Sequence, residues 1–125
     1  MARKKSTTLT DAELRLMDVL WNKGACNTTD VLKALPGSEK LAYTTVLTTL
    51  RILEEKGYVE HTKDGKAFVY HAVVDRTSAR RSALRHLVSR LFQNSPELLF
   101  SNLIADEKLT AKQLRGMKKM IQESE

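Results

Sequence analysis

A chain of 125 residues, 42 % hydrophobic and 29 % charged, has the composition of one ordinary globular domain or of a small domain with an appendage. That composition excludes an overall disordered chain, and no run approaches the roughly 18 apolar residues of a membrane span. A net charge of +6 favours a polyanionic partner and says nothing about fold.

The opening "MARKKSTTLT" is basic but has no apolar stretch after it, so it reads as a short arm over residues 1–9 and not as a secretory signal. Lys4 and Lys5 in that arm can reach phosphate. Thr10-Asp11-Ala12-Glu13 is a capping box that starts a helix, with Leu14, Met17, Val19, Leu20 and Trp21 following at helical spacing and "NKG" ending it. Ala25 and Cys26 form a short extended link. Cys26 is the only cysteine, which rules out an intramolecular disulfide or a cysteine cluster and suits a reducing cytoplasm. Asn27 or Thr28 then caps a brief helix whose buried side is Val31, Leu32 and Leu35, stopped by Pro36-Gly37-Ser38.

The next helix, residues 42–56, is unusual. At 100° per residue Tyr43, Val46, Leu50 and Leu53 share one side, the expected core stripe, and Gly57 suits the left-handed position after the helix. The opposite side carries Thr44, Leu47, Thr48, Arg51 and Glu55, where a solvated helix usually carries Lys and Glu. Threonines cost about half a kcal/mol each relative to alanine in a helix, so four in one helix (Thr44, Thr45, Thr48 and Thr49) need a reason. Reading the DNA major groove supplies one. A threonine hydroxyl bonds bases or phosphates, a leucine meets a thymine methyl, and an arginine grips guanine with two hydrogen bonds. Thr45 can hold a phosphate, whereas Thr49 points to the core flank. Tyr43, at the helix start, is counted with the DNA-binding set as well as with the core.

From Tyr58 the apolar period becomes two. "YVEHTK" and "KAFVYHAV" are strand-like, and Lys63-Asp64-Gly65-Lys66 between them predicts a hairpin with Asp-Gly in a two-residue type I′ turn. Lys63 and Lys66 bracket that turn and can sit on phosphates, while His61 and His71 flank the strands. Three helices and a hairpin in about 65 residues suggest a winged helix-turn-helix over residues 10–74, with the hairpin as the wing.

Asp75 is placed to cap a further helix bearing Leu84, Leu87, Val88 and Leu91. Ser95-Pro96-Glu97 opens the next, with Leu99, Phe100 and Leu103, and Thr110-Ala111-Lys112-Gln113 opens the last, with Leu114, Met117 and Ile121. Three short helices amount to little more than the roughly 40 residues below which a domain rarely supports itself. Their apolar stripes are therefore assigned to a dimer partner, making residues 75–125 a three-helix dimerisation module. The positive charge gathers here: residues 76–125 hold 10 Lys and Arg against 5 Asp and Glu, whereas residues 1–75 hold 11 against 10. The fold class read from the sequence is thus mainly α with a small β-hairpin.

On "LTDAELRLMDVLWNKG", "AYTTVLTTLRILEEKGYV" and "TKDGKAFVYHAVV", together with the helical tail, the chain resembles the penicillinase and methicillin-resistance repressor family of the BlaI/MecI type over nearly its whole length. The resemblance implies a homodimeric repressor whose two heads cover the halves of a near-palindromic operator on double-stranded DNA, in some members controlling antibiotic resistance. It also implies a membrane-bound metalloprotease sensor as a candidate partner, which in the family cuts after an Asn and before a Phe in the dimerisation helices. Here that place holds Asn102-Leu103, so the Asn matches and the Phe does not. No cysteine follows Cys26, which excludes the paired C-terminal cysteines of copper-responsive relatives.

An enzyme is not expected: the carboxylates are scattered, His61, His71 and His86 have no ligand spacing, and no glycine-rich phosphate loop occurs. Neither a metal nor another cofactor is expected. Two alternatives stay open. In one, the winged helix serves protein contacts only, and Arg51 and the wing lysines are dispensable. In the other, a small ligand controls the repressor without proteolysis.

Overall fold

The structure, a computed structural model, describes residues 8–37 and 41–124. Residues 1–7 of the basic arm, with Lys4 and Lys5, and Ser38 lie outside the described residues. The elements run in the order α1 (Asp11–Lys23), β1 (Cys26–Asn27), α2 (Thr28–Ala34), α3 (Tyr43–Lys56), β2 (Val59–Asp64), β3 (Ala67–Ala72), α4 (Arg76–Leu91), α5 (Pro96–Asp106) and α6 (Ala111–Ser124). They fall into two compact units, one ending at Leu84 and one beginning at Arg85.

In the first unit the capping box closes as expected. The Glu13 amide donates to Thr10 Oγ1 at 3.2 Å, and the Thr10 amide donates to Glu13 Oε1 at 2.9 Å. Asn27, not Thr28, caps α2, accepting from the Asp30 amide at 2.8 Å. Gly57 ends α3 at φ 89°, ψ 15°, a conformation in which a Cβ would clash. The core gathers Leu16, Met17 and Leu20 of α1, Val31 of α2, and Val46, Leu50 and Leu53 of α3 under Val59 and Tyr70 of the sheet. Burying each of these aliphatic side chains stabilises the unit by about 1.5–3 kcal/mol.

Two expected core positions are corrected. Tyr43 is 50 % exposed, because it opens α3 one turn before the stripe that α1 and α2 cover. Leu14 is 43 % exposed while Leu16, absent from the expected stripe, is fully buried. The inner face of α1 is rotated, leaving Leu14 and Trp21 on another side.

The sheet has three antiparallel strands in the order β1-β3-β2, since the extended link at Cys26 pairs with Tyr70. The hairpin turn also differs from its expectation. Asp64 pairs with Ala67, so the two turn residues are Gly65 and Lys66, and Gly65 alone has positive φ, at 64°. A type I′ turn needs positive φ at both positions, whereas type II′ needs it only at the first, where glycine sits here. Lys66 is consequently at the tip of the wing, and Lys63 lies within β2 opposite Phe68.

Asp75 caps α4, its Oδ1 accepting from the Ser78 amide at 2.7 Å. That backbone hydrogen bond, helped by the Ser78 side chain, holds the Asp75 carboxyl below its ordinary 3.8. A carboxyl depressed by folding contributes stability above its unfolded pKa and loses it as the pH falls through the lowered value. The first turn of α4 is therefore expected to fray as the pH falls below the ordinary carboxylate range, seen as faster exchange of the Ser78 amide, and Asp75→Asn is expected to remove that pH dependence.

The second unit carries well-formed helix starts. Ser95 accepts from the Leu98 amide at 3.1 Å, with Pro96 in the first turn of α5. Thr110 and Gln113 form a complete capping box, at 3.1 and 2.8 Å. Yet among the described residues from Arg85 to Ser124 none is buried. Leu91 is 70 % exposed, and Phe100, Leu103, Leu114 and Ile121 are also exposed.

Candidate nucleic-acid interface

Five of the six residues singled out on α3, namely Tyr43, Thr44, Thr45, Thr48 and Arg51, are exposed, while Leu47 is half-buried. Thr49 is buried and donates its hydroxyl to the Thr45 carbonyl at 2.7 Å, a bond four residues back that satisfies it without DNA.

The outer face of α3 forms one wall of an open cleft. Tyr43, Leu47 and Arg51 line it from α3, Lys66, Ala67 and Phe68 from the wing, and Asn27, Thr28 and Thr29 from the start of α2, around a volume of about 260 Å³. Arg51 makes no hydrogen bond or ion pair among the described residues, so its guanidinium is available to a ligand. The cleft thus brings together Tyr43, Leu47, Arg51 and Lys66 of the expected set. Thr44, Thr45, Thr48 and Lys63 are exposed but do not line it.

Sequence reasoning missed the third wall. Asn27 and Thr28 were read only as caps, and Thr29 carried no signal of its own. His61, expected to flank the strand, is packed. The His61 Nδ1 lies 2.8 Å from both carboxylate oxygens of Glu54, to which its N–H donates, and its ring stacks on Phe68 at 4.3 Å between centroids. Tyr70 flanks the same imidazole at 5.6 Å. This contact joins β2 to α3 and fixes the wing against the helix it flanks. His71 is placed less tightly, 3.9 Å from Glu60, its cross-strand neighbour.

Other ionisable groups are structural. Burial, more than the nearby Asp30, pushes the Cys26 thiol up, which keeps it protonated and unreactive. Burial, ahead of Glu54, likewise raises the Tyr70 phenol. Among the described residues no group of three or more His, Cys, Asp and Glu residues is arranged to hold a metal ion, and no helix is long and apolar enough to cross a membrane.

A three-helix core, a projecting helix with a polar outer face and an adjacent basic-tipped hairpin define a DNA-binding winged helix. The penicillinase repressor profile matches residues 9–123, and the chain belongs to that family, whose members are transcriptional repressors and not enzymes. The penicillinase repressor of Bacillus licheniformis is 26 % identical over 120 residues, spanning 96 % of this chain and 94 % of that one. The transcriptional regulator BlaI of Mycobacterium tuberculosis is 32 % identical over 113 residues, spanning 76 % and 82 %. The solution structure of the monomeric form of B. licheniformis BlaI in complex with the blaP half-operator superposes with a TM-score of 0.50 at 36 % identity, covering 61 % of this chain and 93 % of that one.

Proposed function

We propose that the chain is a homodimeric, sequence-specific repressor that covers a near-palindromic operator with one winged-helix head on each half. In this reading α3 enters the major groove. Thr44, Thr48 and Arg51 face base edges, Leu47 meets a thymine methyl, Tyr43 and Thr45 hold the sugar-phosphate backbone, and Lys63 and Lys66 of the wing sit on flanking phosphates. The observation that carries it is the cleft in which unpaired Arg51 and wing-tip Lys66 converge. The half-operator complex formed by the relative's monomeric form supports one head per half-site.

The helices of residues 75–125 would hold the dimer together, because many of their apolar side chains, Leu91 and Ile121 among them, stay exposed. A membrane-bound metalloprotease sensor would end repression by cutting between Asn102 and Leu103. That bond lies inside α5, where the Asn102 side-chain amide donates to the Leu98 carbonyl at 2.8 Å, so α5 must unwind before a protease can receive it as an extended strand.

Anisotropy of a labelled duplex from upstream of the protein's own gene, against a scrambled duplex at two salt concentrations, tests the reading. Binding tighter by about 10³-fold or more to the native duplex is expected. Equal affinity for both at every salt concentration would sink it. Arg51→Ala is expected to cost about 1–3 kcal/mol on the native duplex and to relax selectivity at one base pair. Lys66→Ala is expected to weaken both duplexes alike and to lower the salt slope by about one.

A further inference from the structure

A second hollow lies in the first unit, between α1 and the opening turns of α4, and shares no residue with the DNA-facing cleft. Ala79 and Ala83, one turn apart on α4, line it opposite the side of α1 that carries Leu14 and Trp21. Leu9 also lines it. The volume is about 310 Å³, at the lower limit of the roughly 300–1,000 Å³ typical of small-molecule sites. A dry cavity of about 150 Å³ already accepts benzene, so this one has room for a single ring and a short polar substituent.

The polar groups of the hollow are Asp18, Arg76 and Arg80. Arg76 is committed to the protein. It stands 3.5 Å from an Asp18 carboxylate oxygen, donates to Asn22 Oδ1 at 3.0 Å, and its Cζ lies 5.2 Å from the centroid of the Trp21 ring. Arg80 makes no hydrogen bond or ion pair among the described residues. Two guanidinium groups therefore face one carboxylate, and one positive charge is left without a partner beside an apolar floor. A ligand that satisfies both features has a ring-sized apolar body and a single negative charge. The Trp21 indole, held by its own N–H donating to the Val74 carbonyl at 2.9 Å, offers a fixed aromatic surface.

We propose that this hollow binds a small aromatic monocarboxylate, its ring against Leu14, Trp21 and Ala79 and its carboxylate on Arg80. The ligand is held by a charge-assisted pair that Arg76, already occupied, does not supply. Because the hollow shares no side chain with the DNA-facing cleft, its occupancy is measurable without DNA, and the proposal does not depend on the operator reading.

Trp21 is the only tryptophan, so its fluorescence in the full-length protein reports on the hollow directly. Phenylacetate serves as the probe and phenylacetamide as its uncharged control. A saturable change in Trp21 emission with phenylacetate and none with the amide is expected. Arg80→Ala, or Arg80→Gln if the alanine variant misfolds, is expected to raise the dissociation constant about tenfold or more. Ala83→Leu, which fills the hollow from an exposed position, is expected to abolish saturation with unchanged circular dichroism. A linear response equal for acid and amide overturns the proposal, as does saturation that survives either the Arg80 change or the Ala83→Leu change. A response that varies with protein concentration also overturns it, since a second copy then covers the hollow.

Discussion

Replacing Leu114 and Ile121 together by aspartate is expected to make the protein monomeric and to cut its affinity for an intact operator by about 10²- to 10⁴-fold, with little change on an isolated half-site. The two residues stand seven apart on α6, and neither is covered: Ile121 is 52 % exposed and Leu114 is exposed as well. The whole stretch from Arg85 to Ser124 contributes no buried side chain among its described residues, although its helix starts are fully capped. Caps contribute about 1 kcal/mol each, which cannot hold three short helices against the roughly 1–2 kcal/mol of backbone entropy lost per ordered residue. Apolar burial from another surface would supply the difference, and in the proposed dimer a second copy of the same helices provides it, with stripes that match by symmetry. The affinity loss on intact operator then follows from losing the link between two weak half-site contacts, not from damage to the head. Sedimentation velocity gives the oligomeric state, and anisotropy on intact and half-site duplexes gives the two affinities. A persistent dimer, or equal proportional losses on both duplexes, would remove residues 85–124 from this role.

The features legible in the sequence were those set by neighbours along the chain. The Thr10–Glu13 and Thr110–Gln113 capping boxes, Gly57 after α3, and the two-residue period from Tyr58 each depend on a few adjacent residues, and each formed as read. The errors arose where a distant element decides. Leu14 and Leu16 are equally apolar, and only the placement of α2 and α3 makes Leu16 the buried one. The side of α1 bearing Leu14 and Trp21 faces the opening turns of α4 across the hollow, and Trp21 is tied by a hydrogen bond spanning 53 positions to Val74, just ahead of α4. The hairpin was found but its turn was shifted by one residue, because the cross-strand register from Val59↔Ala72 to Asp64↔Ala67 leaves only Gly65 and Lys66 unpaired. The outer face of α3 was visible as an anomaly of composition. Its pairing with the α2 start was not, since nothing local links Thr29 to Arg51.

The largest loss of stability outside the aliphatic core is expected from Glu13→Ala, about 2–4 kcal/mol in denaturant unfolding. Glu13 is only 4 % exposed. One carboxylate oxygen accepts both from the Thr10 amide at 2.9 Å and from Lys56 Nζ at 2.7 Å, and Lys56 also reaches the Thr8 carbonyl at 3.5 Å. A single side chain therefore caps α1 and ties its first turn to the last turn of α3. Alanine removes the cap, at about 1 kcal/mol, and strands the largely buried Lys56 ammonium. The full 3–5 kcal/mol for breaking a buried pair does not apply, because about a fifth of the Lys56 side chain reaches solvent and can be rehydrated. Glu13→Gln separates the contributions, since glutamine keeps the capping box but carries no charge, and it is expected to cost about half as much. Lys56→Met leaves the Glu13 carboxylate buried without its cation and is expected to cost more than Glu13→Gln. Combining the two replaces the ion pair with a neutral cap beside an apolar chain of similar volume, and should cost less than the sum of the single changes. Strict additivity in that cycle would mean that Glu13 acts only as a cap. A positive coupling assigns the remainder to the link between α1 and α3, and if α3 reads DNA as proposed, native-duplex affinity should then fall with Lys56→Met while Arg51 stays in place.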